Sequence, residues 1–129
     1  DSNITILGEY NVENAKDLGM STADDCLLSY DSFDAIVCQN DDAALGVVEA
    51  LKSAGKLDSI QVLGVDGSDD ALESIKNGEM TMTSLQDAKA QAEAGVQIFE
   101  DLKNGKTRQI SRMSAFRLKS SQQKMWTSI

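Results

Sequence analysis

Short apolar runs alternate with longer amphipathic stretches along most of this chain, and this alternation limits its fold more than any other feature. Each short run predicts a β-strand, and the four clearest are Ile4–Leu7, Phe33–Cys38, Ile60–Val65 and Met80–Leu85. The runs FDAIVC and IQVLGV lack polar alternation, which predicts strands that are buried on both faces. A further strand is predicted within Ile110–Leu118.

The stretches between these runs have apolar residues at three- and four-residue spacing, which predicts helices. The predicted helices cover about residues 15–30, 41–54, 70–76 and 88–103. Asn40 and the two aspartates after it suit the start of the second helix, and Gly55 suits its end. Alternating strands and helices predict an α/β fold with three αβα layers and a mainly parallel sheet.

Composition and charge exclude several classes of function. The 129 residues suit one domain, and the net charge of −9 with no basic face argues against a nucleic-acid partner. No apolar run is long enough to span a bilayer. The polar first residues have no signal-peptide pattern, which leaves a mature secreted chain, a cytoplasmic chain and an excised fragment all open.

Enzyme chemistry finds little support in the sequence. There is no histidine, no serine has an evident base partner, and the segment Gly64–Gly67 lacks the lysine and further glycines of a phosphate loop. Cys26 and Cys38 lack metal-ligand spacing, and two buried free thiols are favoured over a disulfide. We therefore expect no catalytic residue, no metal and no cofactor.

Polar side chains follow three of the predicted strands. Asn40 comes just after FDAIVC, Asp66 directly follows IQVLGV, and Gln86 directly follows MTMTSL. Ligands of parallel sheets bind beyond the carboxyl ends of the strands. Carboxylates accept from hydroxyl groups and amides both donate and accept, so the three residues together predict a site for a neutral polyol. Each residue alone is more readily interpreted as a helix cap or a turn residue than as a ligand contact, and the coincidence of three at strand ends is what favours a site.

Two segments, FDAIVCQNDDAALGVVEALKSAGK and IQVLGVDGSDDALESIKNGEMTMTSLQD, make the chain resemble a known family. They resemble the periplasmic sugar-binding proteins of ABC transporters, in the ribose- and galactose-binding group, over about Thr5–Lys106. The resemblance implies a type I periplasmic-binding-protein-like lobe and non-catalytic binding of a monosaccharide or similar small polyol. It also implies a membrane permease as the partner of the full-length protein, and an extracytoplasmic location, periplasmic or lipid-anchored at the cell surface.

The same resemblance implies roles for individual residues. Asn40, Asp66 and Gln86 match the family positions that hydrogen-bond sugar hydroxyls. The family position for an aromatic residue that stacks on the sugar falls at Asn14 in this chain, and Tyr10 is the alternative candidate for stacking.

The resemblance further implies an incomplete lobe. Residues 1–86 match the core of a C-terminal lobe that lacks its first βα unit, and residues 87–112 match a hinge-crossing segment whose helix packs on the other lobe. Residues 113–129 match a returning strand and tail. An isolated chain of this kind is expected to rearrange its sheet, to exchange elements with a second copy as a homo-oligomer, or to be half of a nicked protein.

Three other functions stay open at this point. The effector-sensing domain of a lac-repressor-family transcription regulator and that of a membrane sugar sensor share the expected fold. An enzyme with a nucleotide-type α/β fold is the third. The sequence upstream of Asp1 would separate a transporter component from a transcription regulator, and a following transmembrane segment would reveal a membrane sensor.

Overall fold

The computed structural model describes residues 3–105, so the predicted strand within Ile110–Leu118 and the tail 113–129 lie outside the described residues. The chain divides into two compact units, Asp1–Asp87 and Ala88–Ile129. Six elements form the first unit: α1 (Lys16–Ser29), β1 (Ala35–Val37), α2 (Asp41–Ser53), β2 (Gln61–Asp66), α3 (Asp69–Lys76) and β3 (Met82–Leu85). The described part of the second unit contains α4 (Ala88–Lys103).

The three strands form one parallel sheet in the order β1-β2-β3. Ile36 of β1 lies opposite Val62 of β2, and Gly64 of β2 lies opposite Thr83 of β3. Parallel neighbours in sequential order need a crossover helix between them, which α2 and α3 supply. Right-handed crossovers place both helices on the same face of the sheet. The predicted α/β class and parallel sheet are confirmed.

The core lies between α2 and β2. The predicted apolar stripe of α2 is buried throughout its length, at Ala44, Val47, Val48 and Leu51. It packs with Val62 of β2, which is fully buried, and with Met80. Burial of such side chains contributes roughly 1.5–3 kcal/mol each for the larger ones.

Two glycines bring α1 and α2 into backbone contact. A side chain at Gly19 would collide with the backbone of Ala43, and one at Gly46 would collide with the backbone of Lys16. Because Gly19 and Ala43 lie in the first turns of their helices, the segments that precede both helices are also brought together. This close packing positions Asn14 beside the end of β1.

Two strand predictions were wrong. Ile4–Leu7 has no regular structure, and Ile4 and Ile6 are 79% and 71% exposed, because no strand among residues 3–105 pairs with this segment. The strand at Phe33–Cys38 shortens to Ala35–Val37 and is not buried on both faces, since Val37 is 74% exposed. Helices of the first unit cover one face of the sheet, and β1 is its edge.

Helix α4 has the bounds that the sequence predicts. Its apolar stripe is exposed, at Val96, Phe99 and Leu102. Cys26 and Cys38 are buried free thiols, as predicted. Among residues 3–105, none of the helices combines the length and the hydropathy that a membrane span requires.

Candidate ligand-binding rim

Asp66 is the last residue of β2, Gln86 directly follows the neighbouring β3, and the two residues are paired twice. The Gln86 backbone N–H donates to the Asp66 carbonyl oxygen at 2.9 Å, which closes the ladder between the strands. The Gln86 side-chain Nε2 donates to Asp66 Oδ1, also at 2.9 Å. Asp66 Oδ2 and Gln86 Oε1 have no hydrogen-bond partner among residues 3–105. This pair therefore presents two free acceptors at one edge of the sheet.

Asn40 lies beyond the end of β1 and caps α2. Its Oδ1 accepts from the backbone N–H of Ala43 at 3.0 Å, and its Nδ2 donates to the carbonyl oxygen of Asn14 at 3.3 Å. A primary amide has two N–H donors and two lone pairs, so one of each remains. The capping interpretation is thus confirmed, and it leaves Asn40 able to contact a ligand as well.

Asn14 lies in the turn before α1, next to the end of β1. Its φ of 59° is in the left-handed region, which asparagine tolerates better than most residues. Its Oδ1 accepts from Gln39 Nε2 at 2.7 Å. Gln39 was not among the predicted site residues, although it stands directly before Asn40 in the sequence. We call Asn14, Asn40, Asp66 and Gln86 the strand-end rim.

Tyr10 is not brought to this rim. Its hydroxyl pairs with that of Tyr30 at 3.0 Å, and Tyr30 in turn donates to the carbonyl oxygen of Leu7 at 3.0 Å. Tyr30 follows the last turn of α1, whereas Asn14 precedes the first, and a helix of this length spans about 20 Å. The hydrogen bond to Tyr30 raises the pKa of Tyr10 above its ordinary value. A ligand-binding role for Tyr10 stays a prediction from the sequence.

Asp41 is the residue at the strand ends that the sequence did not single out. Its side chain is 1% exposed, and its Oδ2 accepts from the backbone N–H groups of Gly67 and Ser68 at 2.9 and 2.8 Å. Its Oδ1 accepts from the Thr83 hydroxyl at 2.6 Å. These bonds connect the start of α2 to the loop after β2 and to β3. Asp41 thereby joins the three strand ends that supply the rim.

The backbone around Asp66 is unusual for an L-amino acid. Asp66 has a φ of 127°, and the following Gly67 has a φ of 78°. Such a conformation at a non-glycine residue costs roughly 1–3 kcal/mol and persists where surrounding contacts hold it. Nothing in the sequence indicated this strain at Asp66.

Metal binding is a separate question for this acidic chain. Within the described range 3–105, no group of three or more histidine, cysteine, aspartate or glutamate side chains could hold a metal ion. The acidic pairs Asp41-Asp42 and Asp69-Asp70 lie in the first turns of α2 and α3, where carboxylates favour the positive helix end.

A parallel α/β unit with polar groups at its strand ends defines a class of small-molecule binding domains. The chain belongs to the periplasmic binding protein domain family, whose profile matches residues 1–107. It is 39% identical over 72 residues to a xylitol-binding protein of Mycolicibacterium smegmatis, covering 56% of this chain and 20% of that protein. It is 28% identical over 106 residues to the ribose import binding protein of Bacillus subtilis, covering 82% of this chain and 34% of that protein.

Solved structures show the same relationship. An ABC transporter solute binding protein from Bacillus halodurans with bound myo-inositol is 37% identical, with a TM-score of 0.63 over 73% of this chain and 33% of that one. Another from Agrobacterium vitis with bound D-fucose is 26% identical, with a TM-score of 0.71 over 84% of this chain and 37% of that one. The chain thus spans much less than half the length of these four proteins.

Proposed function

We propose that this chain supplies the ligand-contacting residues of one lobe in the sugar or polyol site of an ABC-transporter solute-binding protein. The observation that carries the proposal is the strand-end rim, in which Asn40, Asp66 and Gln86 lie at the carboxyl ends of three adjacent parallel strands. Asp66 and Gln86 keep free acceptors, and Asn40 keeps a free N–H. In the proposed site these three residues contact the ligand directly.

The chemistry of the rim favours a neutral polyhydroxylated ligand. The free Asp66 oxygen accepts from one hydroxyl of the ligand, while the Asn40 amide donates to another. No residue of the rim is cationic, and the chain has a net charge of −9, so an anionic ligand would be repelled. The relatives named above for xylitol and ribose, and those solved with myo-inositol and D-fucose, also bind uncharged polyols.

The whole protein would bind without catalysis. In this proposal the chain is the core of a C-terminal lobe, and a second lobe closes over the rim by a hinge motion. The closed form would dock on a membrane permease outside the cytoplasm. Because the chain alone supplies half of the contacts, its own affinity should be in the millimolar range, which corresponds to about −4 kcal/mol.

Saturation-transfer NMR of xylitol, ribose, myo-inositol and D-fucose in the presence of the chain tests this function. We expect at least one polyol to receive saturation from the protein, and Asp66→Asn to abolish the effect. Asp58→Asn is the matched control, because Asp58 is exposed and precedes β2, at the opposite edge of the sheet. Absence of transfer to all four ligands would contradict polyol binding, and a micromolar dissociation constant would contradict the half-site.

A further inference from the structure

We infer that Asp41 is the positioning residue of the strand-end rim: its buried carboxylate fixes the backbone that orients Asp66 toward the ligand. Asp41 itself does not contact the ligand in this arrangement. The inference deepens the proposed function and rests on it for the part that concerns binding.

The contacts of Asp41 converge on the segment just after Asp66. One carboxylate oxygen accepts from two consecutive backbone N–H groups, those of Gly67 and Ser68, at 2.9 and 2.8 Å. The other oxygen accepts from the Thr83 hydroxyl, and that hydroxyl oxygen also accepts from the Gly67 N–H at 3.1 Å. The Gly67 amide is therefore held by both Asp41 and Thr83.

The carboxylate of Asp41 has little freedom to move. It is 1% exposed, and removing a carboxylate from water is unfavourable unless hydrogen bonds to the protein replace those to water. Gly64 of β2 leaves the space that it occupies, because a methyl group there would collide with Asp41 Oδ1. The start of α2 also favours its negative charge.

The held backbone is the strained one. The φ of 127° at Asp66 is disfavoured for a residue with a side chain, so the local chain would relax if its neighbours were released. Since the direction of the Asp66 side chain depends on this backbone, relaxation would also disturb its pairing with Gln86. Loss of the Asp41 contacts is thus expected to displace the Asp66 side chain and thereby to weaken its contacts with the ligand.

The test uses Thr83→Val, which removes the hydroxyl and keeps the shape, and Thr83→Ser, which restores the hydroxyl. Thr81→Val is the matched control, because Thr81 bonds to Gln61 and Val62 instead of to Asp41. Asp41→Asn is a second probe, since an amide oxygen is a weaker acceptor than a carboxylate. Three properties are measured: hydrogen exchange of the Gly67 and Ser68 amides, the NMR signals of the Gln86 side-chain amide, and polyol affinity.

We expect Thr83→Val to speed exchange at both amides about tenfold, to shift the Gln86 signals and to weaken polyol binding about tenfold. Thr83→Ser should restore all three properties, and Asp41→Asn should give intermediate values. Thr81→Val should leave the exchange rates and the Gln86 signals unchanged. If Thr83→Val acted only through a general loss of stability, Thr81→Val would change them as well.

Two results would overturn the inference: equal effects of Thr83→Val and Thr81→Val, or unchanged polyol affinity in Thr83→Val despite faster exchange. If the unmodified chain binds no polyol, the proposed function fails. The exchange rates and the Gln86 signals of Asp41→Asn then still decide whether Asp41 fixes Asp66: values equal to those of the unmodified chain would show that it does not.

Discussion

The carboxylate of Asp41 and the backbone amide of Gly67 are joined by a 2.9 Å hydrogen bond, although 26 residues separate them in the chain. This bond crosses from the residue after Asn40 to the residue after Asp66. It connects the segment after β1 to the segment after β2, which the hydrogen bonds between the strands do not join. The rim is therefore organised by a buried carboxylate in addition to the register of the strands.

Gly64→Ala should destabilise the first unit. A methyl group at this position would collide with Asp41 Oδ1 and with the methyl group of Met80, and overpacking of this kind costs about 1–3 kcal/mol. Chemical denaturation should show that decrease in the free energy of unfolding. Gly95→Ala in α4 is the control, because a methyl group there meets no other atom, and the substitution should leave stability unchanged or slightly higher. Equal stabilities of the two variants would count against the role of Gly64.

Substitutions of Asn40 should separate its capping role from ligand binding. Serine caps helices about as well as asparagine, whereas alanine costs about 1 kcal/mol. We expect Asn40→Ser to keep the free energy of unfolding but to lower the polyol affinity. Asn40→Ala should lower both the free energy of unfolding and the polyol affinity.

Ser68→Ala provides the matched control for this experiment, since the Ser68 hydroxyl caps α3 while its backbone amide bonds to Asp41. This variant should lose stability and keep polyol affinity. Full polyol affinity in Asn40→Ser would show that Asn40 is a cap alone.

Stability should fall at alkaline pH because of Cys38. Burial raises the pKa of the Cys38 thiol from 9.0 to about 11. Between these values the unfolded chain releases a proton that the folded chain keeps, so the free energy of unfolding falls as pH rises from about 9 to about 11. Below that range the Cys38 thiol is protonated in both the folded and the unfolded chain, so it adds no pH dependence to the free energy of unfolding. The expected decrease is on the order of 1–3 kcal/mol.

Urea denaturation across this pH range checks the effect of Cys38, with Cys38→Ala as the comparison. The variant will be less stable at every pH because it leaves a cavity, but its decline above pH 9 should be shallower. The other titrating groups contribute equally to both proteins. Parallel pH curves would show that the Cys38 thiol does not titrate abnormally.

The helices were the part of the fold that the sequence predicted best. Ala44, Val47, Val48 and Leu51 are all buried, because the helical period places them on one face wherever the helix packs. The strand at Ile4–Leu7 failed for the opposite reason. Its apolar residues favour an extended chain, but a strand forms only where another strand supplies hydrogen-bond partners.

The candidate site, like the fold, could be predicted from the sequence only in part. The residues after each strand were predictable, since parallel strands end at one edge of a sheet, and Asp66 does pair with Gln86 there. Asp41 looked like an ordinary first-turn carboxylate. Its partners Gly67 and Thr83 lie 26 and 42 residues away, and a local sequence pattern does not predict contacts over such separations. Gly64, which lies opposite the half-buried Thr83 in the sheet, is the sequence feature that could have indicated the space for it.

The side-chain amide spectrum of the chain during titration with a polyol tests the central claim most directly. Asn40 and Gln86 should show saturable shifts of their NH₂ signals in the millimolar range, because both amides contact the ligand in the proposed site. The exposed amides of Asn77 and Asn104 are internal references and should not move. Shifts confined to those reference amides, or no shift at Asn40 and Gln86 with any of the four polyols, would contradict the claim that this rim binds a sugar.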